Sequence, residues 1–545
     1  MTDWWRGSVI YQIYPRSFQD SNGDGIGDLR GITDRLGYVA DLGVDAVWLS
    51  PIFTSPMADM GYDVSDYTDI DPIFGSLADF DALLARAHQL GLKVIVDQVL
   101  SHSSDQHPFF KESRSSRDNP KADWYVWADP KHDGTPPNNW LSVFGGPAWA
   151  WDARRHQYYL HNFLFEQPDF NFHNPEVQDW LLSTMRFWLD RGVDGFRLDT
   201  VNFYFHDRLL RDDPADFRRK DKPEANPYGM QYHIFSKNQP ENLAFLERMR
   251  ALLDEYEARA MVGEMGESHH AIRMMGEYTT GRRLHKCYSF EMLGDRFDPG
   301  HFRAQIEDFY AGAPAGWPTW AFSNHDVMRH VSRWKRHGVG REPLAKLAGA
   351  LLLSLEGSVC LYQGEELGQT DTELALHELT DPQGIRFWPE PIGRDGCRTP
   401  MAWDASLPSA GFSEGRPWLP VKEAQAANAV AGQQGDPNSV LEFYRAMLRL
   451  RRDTPELRSG RTRFLDVEEP VLAFTRGGTV LCLFNLSPEK HQVRLAGAGV
   501  IAVAQGAEHG KDGTISLHPN GFAIMEATLD VAVTDLPARA TSPVP

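Results

Sequence analysis

Residues 195–199 read Gly-Phe-Arg-Leu-Asp, closing a stretch from Arg191 to Thr200 that has the pattern of a strand running into a loop. Side chains alternate across a strand, so Arg197 and Asp199 are expected on one face, side by side at the strand tip. The cation favours the ionised carboxylate at neutral pH. An ionised, positioned carboxylate can serve as the nucleophile of a covalent glycosyl transfer. Alone, such a pair is more often structural than catalytic. Other segments change that balance: Asp97-Gln-Val-Leu-Ser-His102, Met261-Val-Gly-Glu264 and Ser323-Asn-His-Asp326 also read as polar strand ends. Three carboxylates (Asp199, Glu264, Asp326) and two histidines (His102, His325) would then share one rim.

Eight short apolar runs must position them, at residues 8–15, 45–50, 93–99, 195–200, 259–263, 286–290, 319–323 and 357–362. Amphipathic stretches such as 77–90 and 175–191 lie between. Strand and helix alternating over more than 350 residues predicts an α/β fold, a (β/α)8 TIM barrel. The spacing is uneven. A Pro-, Asn- and Trp-rich segment at about 103–172 follows the third strand and reads as a small inserted domain. Further excursions at about 204–240 and 368–400 follow strands four and eight. All three leave from the rim where barrel active sites are built, which predicts a pocket. Beyond residue 460, short alternating runs predict an antiparallel β domain. The expected division is a barrel over 1–102 and 173–460, an inserted domain over 103–172, a C-terminal β-sandwich over 461–535, and a disordered tail over 536–545.

Composition narrows the partners. The 545 residues carry a formal net charge of −20, and no Lys/Arg cluster stands out, which argues against nucleic acid and anionic membranes. Aromatic content is 12%, with 16 Trp, compatible with sugar-stacking surfaces as well as a large core. The four cysteines are scattered without metal-site or disulfide spacing, and the N-terminus lacks a basic start followed by an apolar run; both predict a cytoplasmic protein. The longest apolar segment, 347–355, is too short to span a membrane.

The four polar strand ends resemble the conserved regions of the α-amylase family, glycoside hydrolase family 13. The likeness runs from Val9-Ile-Tyr-Gln-Ile-Tyr-Pro-Arg-Ser-Phe18 to Tyr362-Gln-Gly-Glu-Glu366 and Gly393-Arg-Asp-Gly-Cys-Arg-Thr-Pro-Met401. Gln167-Pro-Asp-Phe-Asn171 resembles the signature of the oligo-1,6-glucosidase and α-glucosidase branch. The resemblance implies Asp199 as nucleophile, Glu264 as acid/base and Asp326 as a partner of the sugar's 2-OH and 3-OH. His102 and His325 would hold hydroxyls of the same ring. Asp63 and Arg398 would grip the terminal glucose and close the pocket, with Arg197 holding the charge of Asp199. Phe144 and Gln167 are candidate lining residues, and Thr200 faces the leaving-group side.

Asp20-Ser-Asn-Gly-Asp-Gly-Ile-Gly-Asp28 sets oxygen donors at Asp20, Asn22, Asp24, the Ile26 carbonyl and Asp28. The loop resembles the start of an EF-hand, with Gly31 where the bidentate Glu would stand. Hard oxygens favour Ca²⁺ or Mg²⁺, in a structural role; no organic cofactor is expected.

The expectation is an exo-acting, retaining α-glucosidase that hydrolyses short α-glucosides such as maltose and sucrose and transfers glucose as a side reaction, as a monomer or homodimer. The alternative is a sucrose hydrolase or a sucrose isomerase-like glucosyl transfer enzyme. A third reading, from a different class, is a non-enzymatic transporter-associated protein on the same barrel. Such proteins lose the catalytic carboxylates, which are all present here.

Overall fold

The computed structural model describes residues 3–218, 225–510 and 512–535. Eight parallel strands are present: β1 (Val9–Ile13), β2 (Ala46–Leu49), β3 (Lys93–Gln98), β4 (Gly195–Leu198), β5 (Ala260–Met265), β6 (Lys286–Ser289), β7 (Thr319–Ala321) and β8 (Ser358–Tyr362). They pair in the order β6-β5-β4-β3-β2-β1-β8-β7. A parallel bridge between Cys287 and Pro318 joins the two ends, so the sheet closes into a barrel.

Both strand faces are buried, which is why the runs read as apolar rather than alternating. Val47, Val96, Phe196, Met261 and Val359 face outward and pack under the helices. Ile10, Trp48, Ile95, Val262, Tyr288 and Cys360 fill the inside. Two residues further towards the strand tips, Gln12, Ser50, Asp97 and Glu264 are polar. The helices Leu29–Leu42, Leu77–Gln89 and Pro175–Asp190 follow β1, β2 and the inserted segment. Phe80, Leu83, Leu84 and Ala87 show the helical spacing of a single buried stripe, and Ser76 and Asp79 cap its start reciprocally.

The inserted segment leaves and returns through one antiparallel bridge, His102 to Asp169. It carries a three-stranded sheet (Trp127–Ala128, Gln157–Leu160, Trp149–Asp152) over its own core of Val126, Trp140, Trp149 and Leu160. The C-terminal domain holds β9 (Thr462–Phe464), β10 (Val471–Arg476), β11 (Val480–Asn485), β12 (His491–His509) and β13 (Thr514–Asp535). These make one five-stranded sheet rather than two stacked ones. The last of the short runs expected beyond residue 460 are parts of the single long β13. Val493 pairs with both Ile515 and Asp535, so the sheet curls until β12 meets both ends of β13. The tail expected at 536–545 lies outside the described residues.

Candidate active site

β4 sets the centre. Gly195 has no room for a side chain: a Cβ there would sit 2.1 Å from the Ala260 carbonyl oxygen. The close approach of β4 and β5 brings Arg197 and Asp199 beside Glu264. Arg197 is fully buried. It donates to Asp199 Oδ1 at 2.6 Å and to Asp97 Oδ1 at 2.9 Å, ion-pairs with Glu264, and donates from Nε and Nη2 to the Tyr288 hydroxyl at 3.2 and 3.1 Å. Its guanidinium lies 4.9 Å over Trp48, whose indole N–H donates to Asp97. The expected pairing of Arg197 with Asp199 is thus present, within a cluster where one cation serves three carboxyls.

An excess of carboxyls around one guanidinium must hold protons. Burial lifts Asp199 and Glu264 to about 7 and Asp97 to about 6, against the lowering pull of Arg197. Neighbouring carboxylates add to the rise: Asp97 and Asp326 act on Asp199, and Asp199 and Asp326 on Glu264. Near neutrality the pair titrates as a unit that can hold one proton and one charge. Arg197 contacts both members, donating to Asp199 and ion-pairing with Glu264, and so stabilises the single charge on either. Asp326 behaves differently. Burial pushes its carboxyl up, but His325, Arg398 and Arg394 outweigh it and hold it well below the usual range.

Thr200 touches both members of the pair. Its hydroxyl donates to Asp199 Oδ2 at 3.1 Å and its amide to Glu264 Oε2 at 3.3 Å. Its φ of +40° is rare for a β-branched residue and costs about 1–3 kcal/mol, which the surrounding structure must offset. His102 is buried, lines the cavity, and is pushed down to about 4 by burial, so it is neutral.

These groups open into a cavity of about 410 Å³. Asp199, Glu264, Asp326, His102, Thr200 and Phe144 line it, as expected. Arg197, His325 and Gln167, also expected, stand behind its surface. His325 is fully buried: Nδ1 contacts Gln12 Nε2 at 2.7 Å and Nε2 contacts the Tyr62 hydroxyl at 2.5 Å. Tyr62 stacks on it, rings 6° from parallel, and presents the face that lines the cavity. Gln167 is also fully buried, its amide donating to Asp59 and to the Tyr62 carbonyl.

The pair expected to close the pocket is corrected. Asp63 is fully buried and turned into its own loop, where it accepts from Ser55 Oγ, Ala58 N and Asp59 N. The cavity wall carries Asp59 instead. Arg398 does not reach Asp63; it donates to the His325 carbonyl at 2.7 Å and to Asp326 at 2.9 Å, which positions Asp326. The arginine on the wall is Arg394. It lies 2.7 Å from Asp59, 2.6 Å from Asp381 and 3.4 Å from Asp326, with its guanidinium 4.9 Å over Phe144. Asp381 is held down to about 2, since Arg394 and Arg398 outweigh its burial.

Sequence reasoning also missed Asp97, Tyr62 and Tyr288. Strand register holds the signal for two of them: Asp97 stands opposite Arg197, and Glu264 opposite Tyr288. Beyond the carboxyls the rim is built by Phe163 of the inserted segment, by Phe203, Tyr228 and Lys237 of the excursion after β4, and by Phe290.

In the Asp20–Asp28 loop the side chains bond mainly to the loop's own amides. Asp20 accepts from Asn22, Gly23 and Gly25, Asn22 from Asp24, and Asp24 from Ile26. Asp28 accepts from Ser21 and caps the helix that begins at Leu29. Among the described residues no group of three or more His, Cys, Asp or Glu side chains is gathered as an ion site. All four cysteines are buried and unpaired. Among the described residues no helix is long and apolar enough to cross a membrane.

The family model for the alpha amylase catalytic domain matches residues 12–460. A probable alpha-glucosidase of Rhizobium meliloti (strain 1021) is 60% identical over 496 residues, covering 89% of this chain and 90% of that protein. An oligo-1,6-glucosidase of Heyndrickxia coagulans is 39% identical, covering 87% and 90%. Among solved structures, the alpha-glucosyl transfer enzyme XgtA superposes with a TM-score of 0.92 at 54% identity, covering 97% of this chain and all of that one. The trehalulose synthase MutB of Pseudomonas mesoacidophila MX-45 does so with a TM-score of 0.86 at 33% identity, covering 96% and 99%. Barrel, carboxyl cluster and relatives agree, and the chain belongs to the α-amylase family of glycoside hydrolases.

Proposed function

We propose that the protein is a retaining α-glucosidase acting on the non-reducing end of short α-glucosides, maltose among them. The observation that carries this reading is the carboxyl pair on Arg197 at the foot of a cavity walled by Asp59 and Arg394, with Asp381 holding Arg394 from behind. Asp199 attacks the anomeric carbon. As the C1–O bond breaks, its electrons go to the leaving oxygen, which takes the proton of Glu264. The product is a glucosyl ester of Asp199. Glu264, now a carboxylate, takes a proton from water, and the resulting hydroxide attacks C1 and releases Asp199 as carboxylate. Asp326, ionised, accepts from ring hydroxyls; Tyr62 offers an aromatic face below the ring. Asp59 and Arg394 fix the far hydroxyls of the terminal glucose, so no further sugar fits beyond it.

Initial rates on maltose, isomaltose, sucrose, trehalose and starch test the reading. Starch cut as fast as maltose would remove the closed wall from the argument. An Asp199→Asn variant is expected to lose about 10⁴-fold or more in kcat; full activity would remove the nucleophile.

Glucosyl transfer is a second reading, favoured by the rim of Phe163, Phe203, Tyr228 and Phe290, which gives an acceptor sugar rings to stack on. The solved relatives named for glucosyl transfer and trehalulose synthesis bear on this reading. Products made from concentrated maltose or sucrose separate it from hydrolysis. For the Asp20–Asp28 loop we retain Ca²⁺ as a proposed structural ligand, on its alternating oxygens alone. The expected result is a higher melting temperature in Ca²⁺ than in chelator, with kcat unchanged.

A further inference from the structure

The hydroxyl of Thr200 stands between two acceptors. It lies 3.1 Å from Asp199 Oδ2 and 3.2 Å from Ser101 Oγ. A hydroxyl has one proton to give. His102 decides where the proton of Ser101 points. Its Nε2 lies 2.9 Å from the Tyr62 carbonyl, an acceptor only, and 3.1 Å from the Gln167 amide nitrogen, whose two protons go to Asp59 and the Tyr62 carbonyl, so Nε2 carries the ring proton. Nδ1, 2.8 Å from Ser101 Oγ, is then the ring's acceptor. Ser101 donates to His102, and its oxygen is left to accept from Thr200. The positive φ of Thr200 holds this geometry, with the amide on Glu264 and the hydroxyl between Asp199 and Ser101.

We propose that the Thr200 hydroxyl is a rotor: it gives its proton to Asp199 while that carboxylate is charged, and to Ser101 while Asp199 is esterified to glucose. The inference rests on the covalent mechanism proposed above. In the first step a carboxylate oxygen bonds to C1 and its negative charge is spent. A hydrogen bond to an ion is roughly twice as strong as one to a neutral acceptor, so Asp199 ceases to be the favoured partner. Ser101 then accepts, and no buried hydroxyl is left unpaired in either state. When water releases the ester, the carboxylate recovers its electron pair and the hydroxyl swings back. Thr200 and Ser101 are positioning residues for the nucleophile on this account.

Asp199 faces Arg197 on its own strand, Asp97 on β3, Glu264 on β5, Asp326 after β7, and the tyrosines Tyr62, Tyr67 and Tyr204, so its titration reports on all of them. The test therefore compares variants that leave those groups in place. With p-nitrophenyl α-glucoside, Thr200→Val is expected to raise the acid limb of kcat/KM by about 0.5–1 pH unit, and Thr200→Ser to restore it. Ser101→Ala is expected to leave that limb in place and to lower the burst of glucosyl-enzyme severalfold, because only the ester state loses its acceptor. An unmoved limb in Thr200→Val, no rescue by Ser, or an equal shift in Ser101→Ala would overturn the rotor. Infrared titration of the carboxyl band lost in Asp199→Asn gives the same comparison without turnover. A wild-type protein inactive on glucosides would overturn the proposed function, while the infrared comparison would still decide where Thr200 donates.

Discussion

Asp59 and Asp63 are four residues apart, as are Arg394 and Arg398, and both expected wall residues were placed four positions too late. Spacing alone does not separate the members of either pair. What separates them is which carboxylate the loop amides claim. Asp63 takes three donors from its own loop, which turns it inward; Asp59 is left to meet Arg394. Asp59→Asn is therefore expected to raise KM for maltose about tenfold or more with little loss of stability. Asp63→Asn is expected to do the reverse, lowering stability by about 1–3 kcal/mol as buried donors lose their acceptor, with KM near wild type. Steady-state kinetics and denaturant melts on the two variants check this. Glu264 carries a prediction of sign. Its folded value of about 7 lies above the value of about 4.3 for an unfolded chain. The native state therefore keeps the proton longer than the unfolded state, and the stabilisation, full below about pH 4, is lost as pH rises through 7. Glu264→Gln never buries this charge. Its melting temperature should exceed wild type by roughly 1–3 °C at pH 8, and the gap should shrink towards pH 5. The same protonation makes wild-type kcat/KM fall on both sides of neutrality, with Asp199 lost to protons on the acid side and Glu264 to ionisation on the alkaline side.

The eight barrel strands were legible because each must bury both faces, which leaves a short apolar run that few loops imitate. Their polar tips were legible for the same reason: a charged residue at the end of such a run stands out. Depth was not. Gln167 and His325 are legible as site residues yet form the backing of the cavity, while Tyr62 faces it, and which side of a packed layer faces substrate depends on contacts distant in the chain. The long β12 and β13 were read as separate short runs because glycines and polar residues interrupt an apolar pattern that the pairing nonetheless bridges. Element packing carries its own prediction. Gly195 is where β4 lies against β5, and a methyl group there meets the Ala260 carbonyl oxygen. Gly195→Ala should cost about 2–3 kcal/mol and displace Asp199 from Glu264, so kcat falls more than KM changes. Crystallography of the variant, or its kcat and melting temperature together, would show whether strain or chemistry is lost first.

At the scale of the whole chain, the cavity is assembled from every excursion that leaves the barrel rim. The inserted segment brings Phe144 and Phe163, the excursion after β4 brings Phe203, Tyr228 and Lys237, and the excursion after β8 brings Gln383 and Arg394. The negative charge of the molecule, −20, fits a neutral ligand better than an anionic one. Arg394 ties three rim segments together, since its partners come from after β2, after β7 and after β8. It meets Asp59 across 335 positions of chain. Contacts so distant form late, because the intervening chain must first be ordered. In refolding, the far-ultraviolet signal of strands and helices should recover before activity on maltose does. Recovery of both with one rate constant would contradict that order. For a cell making this protein, a chain interrupted before Arg394 would have every catalytic carboxyl and a nearly complete barrel, yet no end to its pocket. The last few dozen residues of the barrel domain thus set the reach of the pocket: its carboxyls are made first, and the part of the chain that limits them arrives afterwards.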